Sequence, residues 1–144
     1  MPENLNRNKQ SEANVEVSSK RGLVIVYTGS GKGKTTAALG LALRAVGHGH
    51  KVLILQFIKG TWKVGELEAI KKLNLVPFVE IEQLGLGFIE FKDGRPVVTE
   101  EQKTNAYCSF KYACDKIKSG LYDIIVLDEI NNLVDYGLLN VEDV

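Results

Sequence analysis

The stretch that decides the fold is LVIVYTGSGKGKTTAALGLALRAV, residues 23–46. It opens with residues 23–27, a short and mostly β-branched apolar run that is typical of a central parallel strand covered on both faces. A glycine-rich turn follows, and from Lys34 onward alanine and leucine recur at helical spacing until Gly47. The order strand, glycine-rich loop, helix predicts the first unit of a parallel α/β fold.

Two more strands and a helix are predicted directly downstream. Residues 51–57 (KVLILQF) indicate a second strand, and residues 65–73 a helix. Residues 78–84 (FVEIEQL) indicate a third strand, whose alternating polar residues place it nearer a sheet edge.

A long helix and a last strand complete the pattern. The helix is predicted over residues 99–119, with Gly120 ending it. A stripe at helical intervals is expected to pack into the core, and it consists of Tyr107, Phe110, Cys114 and Ile117. Residues 122–127 (YDIIVL) form the last strand. Such alternation indicates a mainly parallel sheet with helices on both faces.

Size and composition limit the classes of function. A chain of 144 residues suits one domain, and 18 Lys plus Arg against 18 Asp plus Glu give no positive field for nucleic acid or an anionic membrane. Hydrophobic residues at 44% and charged residues at 25% are typical of globular proteins. The polar N-terminus and the lack of a long apolar run predict a cytoplasmic protein.

The two cysteines and the first twenty residues carry little chemistry. Cys108 and Cys114 are six positions apart, which is neither a zinc spacing nor a disulfide framework, so reduced and buried thiols are expected. Residues 1–20 are polar and form a predicted flexible tail, and residues 21–144 form the domain.

Residues 28–36 (TGSGKGKTT) have the chemistry of a phosphate-binding loop, or P-loop. Glycines let backbone N–H groups approach phosphate closely, and the following helix adds its positive N-terminal end. The Thr35 hydroxyl is placed to bind magnesium. Lys32 is either a further phosphate contact or a solvated loop lysine. The usual pattern has glycine where this chain has Thr28, so the loop is one residue short. The residues expected to bind ATP are Gly29, Ser30, Gly31, Lys32, Gly33, Lys34, Thr35 and Thr36.

A second motif supports the first. Residues 124–129 (IIVLDE) end a buried strand in two carboxylates, at the sheet edge where open α/β sheets bind ligands. Either Asp128 or Glu129 is expected to face Thr35 and share a magnesium ion with it. An ATP–magnesium site alone leaves phosphoryl transfer, a motor, a switch and a reaction at the ribose all open.

Four segments agree in order and spacing with one known family. Residues 23–36, 56–66 (QFIKGTWKVGE), 84–88 (LGLGF) and 127–131 (LDEIN) resemble the corrinoid adenosyltransferases of the P-loop cobalamin-biosynthesis family. The shortened loop is itself a feature of that family. The resemblance runs from about Arg21 to the end of the chain, and it implies a P-loop NTPase-like fold.

The resemblance implies a reaction and its partners. The cobalt of a reduced corrinoid attacks the 5′ carbon of ATP and releases triphosphate, with Lys34, Thr35 and Mg²⁺ holding the phosphates. Homodimers, a flavoprotein reductant and an N-terminal segment that folds over the site are further features of such enzymes. Three alternatives remain. They are a nucleotide or metabolite kinase, a nucleotide-dependent switch or motor without catalysis on corrinoids, and an inactive ATP-binding remnant.

Two aromatic residues are assigned to the corrinoid by the same resemblance. Phe88 stands where an aromatic residue of the family packs against the corrin and favours four-coordinate cobalt, and Trp62 lies in a matching loop. The chain departs from relatives at Glu90, where a second aromatic residue is common, and at Val144, beyond which relatives continue. The domain is therefore expected to lack its C-terminal part.

Overall fold

The computed structural model describes residues 22–60 and 63–144, so the predicted N-terminal tail and Trp62 lie outside the described residues. In chain order, the described elements are α1 (Lys34–Val46), β1 (Val52–Gln56), α2 (Gly65–Lys72), β2 (Val79–Gln83), β3 (Glu90–Lys92), β4 (Arg95–Val97), α3 (Glu100–Ser119), β5 (Ile124–Asp128), α4 (Ile130–Asp135) and a 3₁₀ turn (Val141–Asp143).

Three strands form a parallel sheet in the order β2, β1, β5. The central strand pairs Gln56 with Gln83 of β2 and with Asp128 of β5. These three residues therefore form one row across the carboxyl edge of the sheet. The α/β class, the parallel pairing and the edge position of the third predicted strand are confirmed.

Helices cover both faces of the central strand, all five residues of which are buried. Leu53 and Leu55 point to one side, where they pack with residues of α3 and α4. Val52 and Ile54 point to the other side and pack against Ala42 and Ala45 of α1. Alternate side chains of one strand thus fill two apolar layers, which explains why its sequence is a continuous apolar run.

The strand predicted for residues 23–27 is wrong, because this segment is irregular and its apolar side chains are exposed. Leu23 and Val24 are 83% and 85% accessible. Strand propensity reflects packing on neighbouring strands more than a backbone preference. The run has no place in either described sheet, so its composition alone does not hold it in strand geometry.

The core stripe predicted for α3 is also wrong in part. The buried residues are Ala106, Ser109 and Ala113, whereas Tyr107 and Ile117 are 63% and 52% accessible. The buried face lies one residue earlier than predicted, which is about 100° around the helix. Small side chains let this helix lie close to the sheet, and large ones fit only on its flanks.

The thiols are free, but neither is fully buried as expected. Cys108 is exposed and Cys114 is half-buried. The start of α3 is set by Thr99, which exchanges hydrogen bonds with Gln102 in a capping box. The predicted extent of the helix is confirmed.

A short antiparallel hairpin, β3–β4, was not predicted. Its turn residues Asp93 and Gly94 have φ of 50° and 74°, as a two-residue hairpin turn requires. The Asp-Gly pair was the available sequence signal. The hairpin is anchored by Phe91, whose ring meets the ring of Tyr136 edge-on at 5.5 Å between centroids.

Within residues 22–60 and 63–144, no helix has both the length and the apolar character needed to cross a bilayer.

Candidate nucleotide and metal site

The candidate site lies at the carboxyl edge of the parallel sheet. Gln83, Gln56 and Asp128 end their strands in register there, and the glycine-rich loop approaches the same edge because Thr35 contacts Asp128. Crevices at this edge are where open α/β sheets bind ligands.

The glycine-rich loop owes its form to backbone freedom and not to packing. Gly29 and Gly33 have φ of 122° and 107°, which side-chain-bearing residues rarely adopt. A β-carbon on Gly29, Gly31 or Gly33 would meet no atom within 4 Å. The loop therefore has an open inner surface at which a ligand can reach the backbone.

Lys34 is folded back onto this loop. Its ammonium donates to the carbonyl oxygens of Gly29 and Gly31, each at 2.6 Å. The side chain thus joins the two sides of the loop and places a positive charge inside it.

The beginning of α1 adds free backbone donors. The first bond of the helix runs from the Ala37 N–H to the Gly33 carbonyl at 2.8 Å. The N–H groups of Lys34, Thr35 and Thr36 therefore have no acceptor within the helix. Its first turn contains no acidic residue of its own, although the Asp128 carboxylate lies near the positive end of the helix dipole through its contact with Thr35.

Thr35 and Asp128 meet directly. The Thr35 hydroxyl donates to Oδ1 of Asp128 at 2.9 Å. Asp128 is 8% accessible, and it lies at the last position of β5. Of the two carboxylates that the sequence left open, Asp128 is the one in contact with Thr35.

Glu129 directly precedes α4 and has a φ of 65°, a left-handed conformation that is unusual for a residue with a side chain. Burial raises its pKa, the neighbouring Asp128 carboxylate raises it further, and Lys59 opposes both effects. Ionisation of Glu129 is therefore less favourable in the folded chain than in a solvated glutamate.

Lys59 occupies the other oxygen of Asp128. Its ammonium is 3.2 Å from Oδ2 of Asp128 and 3.4 Å from Oε1 of Glu66. Burial alone would lower the pKa of Lys59, but attraction to Asp128 and Glu66 outweighs burial and raises it. The lysine therefore stays charged between two carboxylates.

Gln56 makes a second connection between the same carboxylates. Its Nε2 donates to Oε1 of Glu66 at 3.0 Å and to Oδ2 of Asp128 at 3.4 Å. Burial alone would raise the pKa of Glu66, but hydrogen bonds from its own backbone N–H, Gln56 and Lys59 lower it. The Gln56 Oε1 is buried with no hydrogen-bond partner among the described residues, so the site contains an unused acceptor.

The loop that carries Phe88 packs against the loop that carries Lys59 through backbone atoms. A β-carbon on Gly60 would lie 2.9 Å from the Gly87 nitrogen, and one on Gly85 would collide with the Phe57 carbonyl oxygen and lie 2.7 Å from the Ile58 Cα. Phe88 itself is 71% accessible. The ring lies outside the core, on the loop that follows the carboxyl end of β2.

The predicted residues are brought together unevenly. Lys34, Thr35 and Asp128 form one cluster with the glycine-rich loop. Lys59 and Gln56 belong to the same cluster but were not predicted. Gln56 ends β1 and Lys59 follows it, at the carboxyl edge of the sheet. The position of Gln56 could have been recognised from the sequence, because strand ends at this edge commonly hold site residues.

Among the described residues, no three His, Cys, Asp or Glu side chains lie close enough together to hold a metal by themselves. One hydroxyl and one carboxylate suit Mg²⁺, which usually takes one or two protein carboxylates and completes its shell with substrate phosphates and water. The pair of Thr35 and Asp128 is therefore chemically compatible with a metal that arrives with a nucleotide.

The sequence matches known proteins over most of its length. Residues 20–144 match the family described as ATP:corrinoid adenosyltransferase BtuR/CobO/CobP. A corrinoid adenosyltransferase of Escherichia coli strain K12 is 38% identical over 131 residues, which cover 90% of this chain and 62% of that protein. The corrinoid adenosyltransferase CobA of Salmonella typhimurium is 38% identical over 129 residues, with the same two shares.

A corrinoid adenosyltransferase of Pseudomonas aeruginosa is 31% identical over 127 residues, which cover 88% of this chain and 60% of that protein. The chain thus spans between 60% and 62% of the length of these three relatives.

Proposed function

This chain belongs to the ATP:corrinoid adenosyltransferase family, and from that membership and the geometry of the site we propose that it transfers the 5′-deoxyadenosyl group of ATP to the Co(I) of a reduced corrinoid. The observation that carries the proposal is the cluster of Lys34, Thr35 and Asp128 at the open glycine-rich loop. This cluster combines a phosphate-binding backbone with a hydroxyl–carboxylate pair that suits a metal.

The triphosphate of ATP would lie in the loop. Backbone N–H groups at the start of α1 and the positive end of the helix dipole attract anionic oxygens. Lys34 would exchange its two carbonyl acceptors for phosphate oxygens, which form stronger, charge-assisted hydrogen bonds. Ser30, Lys32 and Thr36 complete the set proposed to contact the phosphates.

Mg²⁺ fits the residues present. A Thr35 hydroxyl that donates its hydrogen to Asp128 keeps its oxygen lone pairs for an ion, and Oδ1 of Asp128 is adjacent. We assign Thr35 and Asp128 as the protein contacts of the ion, with Glu129 near them in an outer position. When bound, Mg²⁺ would stabilise the negative charge that develops on triphosphate.

The reaction requires little covalent chemistry from the protein. The new bond joins cobalt to the 5′ carbon of ATP, the bond from that carbon to the phosphate oxygen breaks, and its electron pair leaves with triphosphate. Cobalt supplies two electrons and passes formally from Co(I) to Co(III). Since the nucleophile is itself the substrate, the protein needs only to orient the carbon and stabilise the leaving group.

Phe88 is proposed to contact the corrinoid. Its ring is exposed on a loop that packs against the segment of Lys59, close to the sheet edge that holds the nucleotide residues. An exposed aromatic ring has area available for stacking on a flat, apolar macrocycle. Trp62, which lies outside the described residues, is proposed for the same surface on the basis of family membership.

The assembly and setting belong to the same proposal. Family membership supports a homodimer, a flavoprotein as the source of the reducing electron, and action in the cytoplasm. Light scattering on the purified chain would test the first of these, because a monomer mass over the working concentration range would contradict it.

The test of function is anaerobic incubation of the chain with Mg-ATP and chemically reduced cob(I)alamin. We expect light-sensitive adenosylcobalamin in the absorption spectrum, together with equimolar triphosphate. Lys34→Ala serves as the control, which should form neither product at a comparable rate. Release of ADP or of single phosphate in place of triphosphate would indicate a kinase or an ATPase and would reject the proposal.

A further inference from the structure

Resting on the ATP–magnesium site proposed above, we infer that Lys59 and Gln56 make this site selective for Mg²⁺ over Ca²⁺ by occupying one oxygen of Asp128. Lys59 is a positioning residue in this inference, because it acts through Asp128 and not on the nucleotide.

Asp128 and three neighbouring side chains form a closed arrangement. Lys59 and Gln56 each bridge the same two atoms, Oδ2 of Asp128 and Oε1 of Glu66, over distances of 3.0–3.4 Å. Gln56 is 1% accessible and ends the central strand, so one of the bridges is fixed by the core. The carboxylate of Asp128 therefore cannot rotate without breaking both bridges.

The orientation of the Gln56 amide follows from its neighbours. A flipped amide would direct its oxygen at two carboxylate oxygens, which would repel it, whereas Nε2 donates to both. The donor side of Gln56 is thus committed to Glu66 and Asp128.

Lone pairs decide how many oxygens remain for a metal. An ionised carboxylate offers about four acceptor directions, two on each oxygen. On Oδ2 of Asp128, both are directed to donors, Lys59 and Gln56. On Oδ1, Thr35 uses one. Among residues 22–60 and 63–144, the donors to this carboxylate thus leave one direction for a metal ion, on Oδ1 beside the Thr35 hydroxyl.

One free oxygen suits Mg²⁺ better than Ca²⁺. Mg²⁺ binds carboxylates through single oxygens in an octahedral shell that keeps waters, whereas Ca²⁺ takes more oxygens and often binds a carboxylate through both. Two-oxygen binding at Asp128 would need one of the two directions on Oδ2, so it would displace either the Lys59 ammonium or the Gln56 amide. Displacing hydrogen-bonded partners in a largely buried cluster is costly, so Ca²⁺ is disfavoured.

The test is calorimetric titration of ATP into the 144-residue chain, without corrinoid, in saturating Mg²⁺ and separately in saturating Ca²⁺. The measured quantity is the ratio of the two ATP dissociation constants. We expect the wild type to bind ATP more tightly with Mg²⁺ than with Ca²⁺. Lys59→Met should reduce this preference about tenfold, because Ca²⁺ can then bind Asp128 through both oxygens. Lys59→Arg keeps a charged donor for Oδ2 and should retain most of the preference.

Two further variants make the result specific. Lys71→Met removes an exposed lysine that pairs with Glu68 on α2, and it should leave the ratio at the wild-type value. Glu66→Gln removes one anchor of Lys59 but keeps Asp128, and it should lower the ratio by several-fold even if Lys59→Met does not fold.

The outcomes separate the inference from the proposed function. A ratio unchanged in folded Lys59→Met, or in Glu66→Gln if the first variant does not fold, overturns the selectivity. A wild type that binds no ATP with either ion overturns the site and the inference together. Failure to adenosylate corrinoid, with the ratios behaving as expected, would count against the proposed function alone.

Discussion

The hydroxyl of Thr35 donates a 2.9 Å hydrogen bond to Oδ1 of Asp128, although the two residues are 93 positions apart. Thr35 lies in the first turn of α1 and Asp128 ends β5, so a single bond joins the end of the glycine-rich loop to the carboxyl edge of the sheet. The direction of donation leaves the Thr35 lone pairs for a cation.

Thr35→Val tests this contact, because valine has a similar shape but no hydroxyl. We expect magnesium-dependent ATP affinity to fall about tenfold or more, and the free energy of unfolding to fall by about 1 kcal/mol from the lost hydrogen bond. ATP titration with and without Mg²⁺ measures the first effect. Thr104→Val is the matched control, because its hydroxyl bonds only to the backbone of α3 on the surface. Equal loss of affinity without Mg²⁺ would argue against a role in metal binding.

Lys34→Ala removes the ammonium that lies inside the loop. The rate of adenosyl transfer should fall about 100-fold or more, since a charged donor to the leaving triphosphate is lost. Lys72→Ala, at the exposed end of α2, controls for the loss of one positive charge. An adenosylation rate equal to that of the control would exclude Lys34 from catalysis.

Gly85→Ala and Gly40→Ala should have opposite effects on stability. A methyl group on Gly85 collides with the backbone of Phe57 and Ile58, and we expect a loss of about 2–3 kcal/mol in the free energy of unfolding. Gly40 lies within α1 with no atom within 4 Å of an added β-carbon, so alanine should stabilise by about 0.5–1 kcal/mol. Denaturant unfolding measures both. Similar effects at the two positions would contradict the close packing of the loops.

Glu129→Gln tests the raised pKa of Glu129. When the folded pKa lies above the unfolded value, the folded state loses stability as pH rises through that interval and keeps the full deficit at higher pH. Glutamine removes the deficit, so the variant should melt at a higher temperature than the wild type at pH 7, in EDTA. The difference should vanish at pH below the ordinary value of 4.5, where both states are protonated. Glu142→Gln, at an exposed position, should show no such trend, and a pH-independent difference at Glu129 would refute the electrostatic explanation.

Phe88→Ala should separate corrinoid chemistry from nucleotide binding. The ring is largely exposed, so we expect a small change in melting temperature and an unchanged ATP dissociation constant, but slower adenosylation. Phe91→Ala removes the neighbouring aromatic residue that packs on Tyr136, and it should lower stability without slowing the reaction. Parallel losses of ATP affinity and of rate at Phe88 would argue against a role specific to the corrinoid.

The spacing of apolar residues and the positions of glycines made much of the fold predictable. The bounds of α1 follow from its alanine and leucine spacing between Gly33 and Gly47, and the edge position of β2 follows from its alternating glutamates. Residues 23–27 were not predictable as irregular, because their composition reports the burial that a strand would need and not whether a neighbour is present. The buried face of α3 was missed because small residues give a weak apolar signal.

The candidate site was predictable in its two motifs but not in its connections. The P-loop pattern and the acidic strand end identify Thr35 and Asp128 by residue type. Thr35 contacts Asp128 and not Glu129. This choice depends on the left-handed conformation of Glu129 and on the strand register, neither of which can be derived from the sequence. The contacts of Lys59 with Asp128 and Glu66 were not predictable, because Lys59 lies in an irregular loop whose conformation has no sequence pattern.

The glycine contacts between the Lys59 loop and the Phe88 loop also have a mechanical consequence. Gly85 and Gly87 contact the Lys59 loop through backbone atoms, so no flexible side chain separates the two loops at these points. A shift of one loop toward the other by more than a few tenths of an ångström must move both. A ligand that pushes the segment that carries Phe88 toward the segment that orients Asp128 must therefore displace that second segment as well.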